Sequence, residues 1–291
     1  MRTKYKIEQF PIALYTLKWL LISGLIGFLV GIAGAGFLYS LQWATDFRES
    51  HKVIIWLLPL AGFFVGILYH YWGESVEAGN NLLLEEIHNP KKVIPFKMAP
   101  LVLFGTIMTH LFGGSAGREG TAVQMGGSIA DQFTGLFKLK PRDKKIILIS
   151  GISAGFAAVF GTPIAGAIFG LEVYFIGKMR YNAIIPSFFA AIIGNYTTHH
   201  LVDYLGMTHT KYVIDVVPEM NPINLLWAIL AGILFGLAGR SFSKLTAFLG
   251  KKFKEYVSYA PLRPLIGGIV VAVLVYLMGT TRYIGLGIPT I

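Results

Sequence analysis

The chain has no cysteine, which excludes disulfide staples, thiolate nucleophiles and cysteine-held zinc. Charge is scarce as well. Only 14% of the residues are Asp, Glu, Lys or Arg, against about 25% in an ordinary soluble domain. Acidic residues number 15 against 25 basic ones, and no basic patch accompanies a soluble domain, so nucleic acid is excluded as a partner. The net charge of +10 is gathered in short stretches such as NPKKVIPFK, KLKPRDKK and GKKFKEY. Their ordinary role is contact with anionic headgroups and orientation across a bilayer.

What the chain does have is apolar sequence. Hydrophobic residues make up 54% and the mean hydropathy is +0.62. Segments without Asp, Glu, Lys or Arg run over 19–45, 53–73, 98–117, 146–171, 181–202, 221–239 and 264–281. A helix crosses a bilayer in about 20 apolar residues and a barrel strand in roughly ten, so these lengths specify helices. The fold class is therefore an all-α polytopic membrane protein. The opening MRTKYKIEQFPIALYTLK precedes a run too long for a signal-peptide core. It predicts a cytoplasmic N-terminal segment over 1–18 followed by a retained first span. Trp43, Trp56, Trp72 and Trp227 fall near span ends and read as interfacial anchors.

The chain also resembles itself. GFLVGIAGAGF begins at Gly27 and GILFGLAGRSF at Gly232, an offset of 205 that maps Gly31, Gly34 and Phe37 onto Gly236, Gly239 and Phe242. The same offset carries Pro59, Leu60, Gly62 and Tyr71 onto Pro264, Leu265, Gly267 and Tyr276. Two matches at one offset indicate an internal duplication, as in transporters built from inverted repeats with an ion site near the midplane. The expected division is a first membrane repeat over 19–215 and the start of a second over 216–291. Residues 80–84 should correspond to 285–289, whereas the counterpart of Glu119 would fall near position 324, beyond Ile291. On this reading the chain is a truncated form of a protein of roughly 400 residues.

One stretch interrupts the apolar pattern with charge: HLFGGSAGREGTAVQMGG, residues 110–127. An ionisable residue inside a membrane costs about 2.5–3.5 kcal/mol on the mildest insertion scale, and a pathway or relay is its usual purpose. Glycines flanking Arg118 and Glu119 predict a non-helical connection and a helix starting near Gly120. The free N–H groups and positive dipole of such a helix end favour an anion, with the Glu119 carboxylate beside it. A carboxylate withdrawn from water takes up a proton more readily, so Glu119 can either occupy the anion site or leave it protonated. A buried Arg118–Glu119 ion pair holding a bend is the plainer alternative. EAGNNLLLEEI follows similar logic, with Asn as an N-cap or as an amide donor to the anion from a second helix end.

These residues carry a family resemblance. GREGTAVQMGGSIADQF resembles the glutamate-gate motif of the CLC chloride channel and transporter family, a Gly-Lys/Arg-Glu-Gly-Pro signature followed by a helix with paired glycines. EAGNN is similar in position to that family's Gly-Ser-Gly-Ile-Pro anion loop, and AGFAAVFGTPIAGAIFGLE to the segment leading into its dimer-interface helices. The resemblance implies a CLC-like inverted-repeat architecture with broken and half-spanning helices. It implies a homodimer in a bilayer with one anion pathway in each subunit, Glu119 as the proton and anion gate, and Gly79, Asn80, Asn81, Arg118, Gly120 and Thr121 around the anion.

Thr121 departs from the motif's proline, and Asn81 stands where the coordinating serine would be. Val173 lies where many exchangers of the family carry an internal proton-transfer glutamate, with Glu172 adjacent as an inner relay or as plain helix-end packing. Together these departures resemble the bacterial fluoride/proton antiporter branch. They imply fluoride export across the inner membrane, with fluoride or another halide and protons as the transported species and no cofactor or metal. Exchange of chloride or another anion for protons, or an uncoupled channel of the same fold, is the alternative, and a truncated, non-conducting assembly fragment a further one.

An enzyme reading has little to stand on. GGSAG, residues 113–117, fits Gly-x-Ser-x-Gly with His110 nearby, but a nucleophile elbow needs a strand–turn–helix setting. His199 and His200 read as a solvated pair at a span end, and Thr162–Pro163 as a break between two helices.

Overall fold

A computed structural model describes residues 2–173, 180–207 and 217–285, with side chains from residue 13 onwards. The chain folds into α-helices, with no strand among the described residues. In order these are α1 Arg2–Ser50, α2 Leu58–Trp72, α3 Asn80–His88, α4 Met98–Leu111, α5 Arg118–Leu136, α6 Pro141–Phe160, α7 Pro163–Glu172, α8 Ile184–Tyr204, α9 Pro222–Tyr256 and α10 Leu262–Met278. Three segments, 13–50, 52–72 and 222–256, are long and apolar enough to cross a membrane, whereas α3 and α7 are far too short. This mixture of full and half spans is the expected one.

No Gly or Pro lies between Ile12 and Ser23, and α1 runs through residue 18 without a break. The break at Thr162–Pro163 is real. α6 ends at Phe160, Gly161 takes a left-handed φ of 68°, and α7 starts at Pro163. Pro has no N–H to satisfy at a helix start, which is why it is accepted there.

α6 is the axis of the molecule, packed by α1, α5, α7 and α8. Lipid is as apolar as leucine, so these helices are held by close approach of backbones rather than by escape from water. A side chain on Gly126 of α5 would collide with the Gly151 carbonyl of α6, and one on Gly155 with the Ala122 carbonyl. These contacts run in opposite directions along the two helices, which makes α5 and α6 antiparallel. α1 and α8 meet similarly: a Cβ on Gly27 would lie 2.5 Å from the Ala190 carbonyl and one on Gly31 2.7 Å from that of Gly194. The Thr198 hydroxyl donates to the Gly31 carbonyl at 2.8 Å.

The duplication is visible in the helices. α9 and α10 occupy the positions that the offset assigns to counterparts of α1 and α2. α2 and α10 pack antiparallel, with Gly62 against Pro264 and Gly268 against Pro59, an arrangement that nearly exchanges the two helices. α9 has no buried residue, and nothing lies within 4 Å of a Cβ on Gly232, Gly236 or Gly239. Of the expected second loop at 285–289, Gly285 is described, and the remainder lies outside the described residues.

Gly126→Leu should prevent assembly of α5 on α6, because a backbone carbonyl cannot move aside. We expect a loss well above the 1–3 kcal/mol typical of overpacking. The check is the melting temperature and monodispersity of the detergent-purified protein.

Candidate functional site

The site is built where two helices begin. α5 starts at Arg118 behind an extended N-cap, Gly117, two residues earlier than the glycine pattern predicts. The irregular connection is taken up by residues 112–117 instead. Arg118 and Glu119 therefore stand in the first helical turn, where a carboxylate complements the dipole. The Glu119 side chain is exposed among the described residues.

The connection is braced from behind. Gly113 has φ 82°, and a Cβ there would lie 2.7 Å from Ile55 Cδ1, so both conformation and space call for glycine. Its carbonyl accepts the Gly285 N–H at 2.9 Å. Arg48, buried at the end of α1, donates from Nη1 to the His110 carbonyl at 3.2 Å.

α3 starts at Asn80, and its N-cap is Gly79 with φ 55° and ψ −123°. That conformation is closed to L-residues, so glycine takes the cap and the asparagines follow as the first two helical residues. The N-capping role considered for asparagine is therefore corrected: no side-chain cap bond forms at this end. Both Asn80 and Asn81 are exposed.

The two helices lie side by side. Gln124 Nε2 is 3.3 Å from a Cβ placed on Gly79, and Asn80 Nδ2 is 3.5 Å from one placed on Gly120. Leu83 fills the notch at Gly127, and Glu86 and Asp131 both reach Lys144. The contacts advance together along both chains, so α3 and α5 run parallel with their N-termini at one end. The free N–H groups at the start of α5 thus face the start of α3, with the Asn80 amide near Gly120 and Glu119 on the same first turn of α5, while at α3 the N–H groups of Gly79, Asn81 and Leu82 are taken by the carbonyls of Val76, Ala78 and Gly79.

Of the residues expected at the site, Gly79, Asn80 and Gly120 are brought together, and Arg118 and Glu119 stand in the same first turn of α5. Asn81 has no atom within 4 Å of a Cβ on Gly120. The buried Thr121 hydroxyl is engaged by the Thr106 hydroxyl of α4 at 2.6 Å, which ties the first turn of α5 to its neighbour. Glu172 ends α7, which packs on α6 and α8, and is exposed. Ser115 lies exposed in the connection, while His110 is fully buried and makes no hydrogen bond to it, so no nucleophile–base pair forms. His199 is exposed and pairs with Asp203 at 3.2 Å, one helical turn on.

Several polar residues around the site gave little signal in sequence. Lys144 belongs to a stretch read as headgroup-facing, yet it is buried against Glu86 and Asp131. The available hint was Asp131, the one charge in α5 beyond its first turn. Thr106 could have been sought as the partner that a threonine in place of proline requires.

Comparison with known proteins bears on the family and the fold. A family model described as voltage gated chloride channel matches residues 61–291. The "Chloride/fluoride channel protein" of Pseudomonas syringae pv. tomato is 50% identical over 290 residues, covering 98% of this chain and 63% of that protein. The "H(+)/Cl(-) exchange transporter ClcA" of Vibrio vulnificus is 28% identical, over 88% of this chain and 58% of its own length. This chain thus spans less than two thirds of these curated relatives. The crystal structure of a CLC-type fluoride/proton antiporter superimposes with a TM-score of 0.86 at 33% identity, covering 94% of this chain and 68% of that one.

The Thr106–Thr121 bond gives a direct test. Thr121→Val should destabilise the protein by about 1–3 kcal/mol by leaving a buried hydroxyl unpaired, while Thr106→Val with Thr121→Val should recover most of that loss. Thermal unfolding of the three variants closes the cycle.

Proposed function

This chain belongs to the voltage gated chloride channel (CLC) family, and we propose that it works as a fluoride/proton antiporter that exports fluoride through a pathway gated by Glu119. It is an integral, multi-pass membrane protein of a transporter and channel family. Its place in this reading is the bacterial inner membrane, as a homodimer with one pathway in each subunit.

The observation that carries the reading is the meeting of two parallel helix N-termini, with the Asn80 amide and the Glu119 carboxylate at one end. Backbone N–H groups and dipole favour a small anion there. Fluoride holds its water tightly, and an amide offers two N–H donors where a hydroxyl offers one, so asparagines suit its dehydration. Ionised Glu119 competes with the anion for the same field. Once protonated it is neutral, releases its hold on the helix ends and admits the anion. A group that takes either the proton or the anion's place couples the two movements. Glu172 is assigned the inner proton relay. Support for fluoride over chloride comes from the two asparagines, the printed name of the half-identical relative and that of the superimposed antiporter. The Vibrio relative's name favours chloride exchange, at much lower identity.

Reconstituted into liposomes, the protein should move fluoride and protons in opposite directions at a fixed ratio, read with two ion-selective electrodes. Glu119→Gln should abolish the proton movement. Fluoride flux without protons and unchanged in Glu119→Gln would sink the mechanism, and equal fluoride and chloride rates would replace fluoride export by general halide exchange.

A further inference from the structure

At the opposite end of the α3–α5 pair lies a buried charge cluster that the transport reading does not use. Lys144 Nζ, on α6, is 2.6 Å from Glu86 Oε2 on α3 and 3.2 Å from Asp131 Oδ2 on α5, and it also donates to the Lys92 carbonyl. Asp131 is 0% exposed, Lys144 3% and Glu86 5%. The chain between α3 and α4 is wrapped around these groups. Lys91 N–H and Lys92 N–H donate to Glu86 at 2.9 and 3.2 Å, and Ile94 N–H donates to Asp131 Oδ2 at 2.7 Å. Thr134 donates to Asp131 Oδ1 at 2.7 Å, and Gln132 Nε2 to the Ile94 carbonyl at 2.8 Å.

So dense a cluster is not explained by stability alone, since a hydrophobic replacement of a buried ion group is often as stable. Its location is informative. α3 has 9 residues, a rod of about 13 Å, too short to hold its own position. Its tail is fixed by Glu86, its middle by Leu83 in the notch of Gly127, and its head carries Gly79 and Asn80 at Gly120. Among the described residues, Lys144 is the one side chain that pairs with carboxylates of both α3 and α5. A rigid rod held at the tail transmits its register to the head.

We propose that Lys144, with Glu86 and Asp131, is a positioning cluster that sets the distance between the N-termini of α3 and α5 and thereby the anion preference of the site, without touching the anion. The inference rests on the anion-site reading above. Fluoride is the smallest halide, so a site that prefers it depends most on how closely its donors, the Asn80 amide on α3 and the N–H groups of the first turn of α5, are held together. Loosening the tail lets Asn80 drift from Gly120, and the preference for the small anion falls.

The test separates affinity from folding. Lys144→Met strands two buried carboxylates and is a risk to folding, so the informative variant is Glu86→Gln, Asp131→Asn and Lys144→Met combined, which keeps side-chain size and removes the charges together. The full chain is titrated with sodium fluoride and then sodium chloride at constant ionic strength, and the melting temperature gives an apparent Kd for each anion. The triple variant should bind fluoride about tenfold more weakly and lose most of the fluoride-over-chloride preference, an effect typical of a small misplacement at a distance. Lys252→Met, at an exposed ion pair on α9, should change neither Kd. A triple variant that melts lower but keeps both Kd values shows a merely structural cluster and overturns the proposal. A wild-type protein whose melting ignores both anions overturns the anion-site reading, and this inference with it.

Discussion

Parallel neighbouring helices create an electrostatic problem at both ends, and the arrangement of α3 and α5 is built around it. Side by side and pointing the same way, they place two positive ends together at Gly79–Asn80 and Gly117–Glu119, and two negative ends together near Glu86 and Asp131. In water such fields are screened; where lipid surrounds the protein they are not, and no solvent caps the free backbone groups. The Lys144 ammonium sits between two carboxylates, and N–H groups of residues 91, 92 and 94 fill the remaining acceptor positions. At the positive end no fixed side chain closes the field. Glu119 is the adjacent anion, and it is exposed on the first turn rather than locked in a bond. One end of the pair thus holds a buried, hydrogen-bonded charge cluster, and the other an exposed carboxylate.

Everything else keeps that pair in place. α5 cannot shift along α6, because Gly126, Gly151 and Gly155 bring backbone against backbone and leave no slack for a change of register. Its first turn is tied to α4 by the Thr106–Thr121 hydroxyl pair. The connection in front of it is held by Arg48 from α1 and by Gly285, which arrives from beyond α10. The start of α5 thus reports on three distant parts of the chain.

The helical membrane class, the Thr162–Pro163 break and the kinship of α1 with α9 are legible in sequence because each is a local pattern of apolarity, glycine or proline. Glu119 stands out for the same reason, as charge amid glycine. What sequence conveys poorly is anything settled by a partner far along the chain. Asparagine is a good N-cap by propensity, but the turn into α3 requires a φ that only glycine accepts, so Gly79 displaces it. The glycines around Arg118 suggest that the helix waits until Gly120, whereas packing against α3 and α4 draws it back to Arg118. Lys144 reads as one more lysine in a basic loop, because Glu86 lies 58 positions away and nothing local marks the pair. Membrane depth compounds this, since a lysine that snorkels to headgroups and one that neutralises buried carboxylates look alike in composition.

The repeat shows the same principle from the other side. The glycine ridge of α1 and that of α9 are nearly the same sequence; Gly27, Gly31 and Gly34 press on α8 and α6, while among the described residues, in a chain that spans less than two thirds of its curated relatives, nothing lies within 4 Å of a Cβ on Gly232, Gly236 or Gly239. A small-residue ridge therefore states that a helix can be approached closely, and says nothing about what approaches it. α2 and α10 differ in this respect, because they are each other's partner, and the near-exchange of Gly62 against Pro264 with Gly268 against Pro59 makes their contact self-complementary. That self-contact needs no third element, and it joins the two repeats. The helix starts at Asn80 and Arg118 lie in the first part of the chain, yet the second part reaches them as well, because the Gly285 N–H donates to the Gly113 carbonyl in the connection that precedes α5.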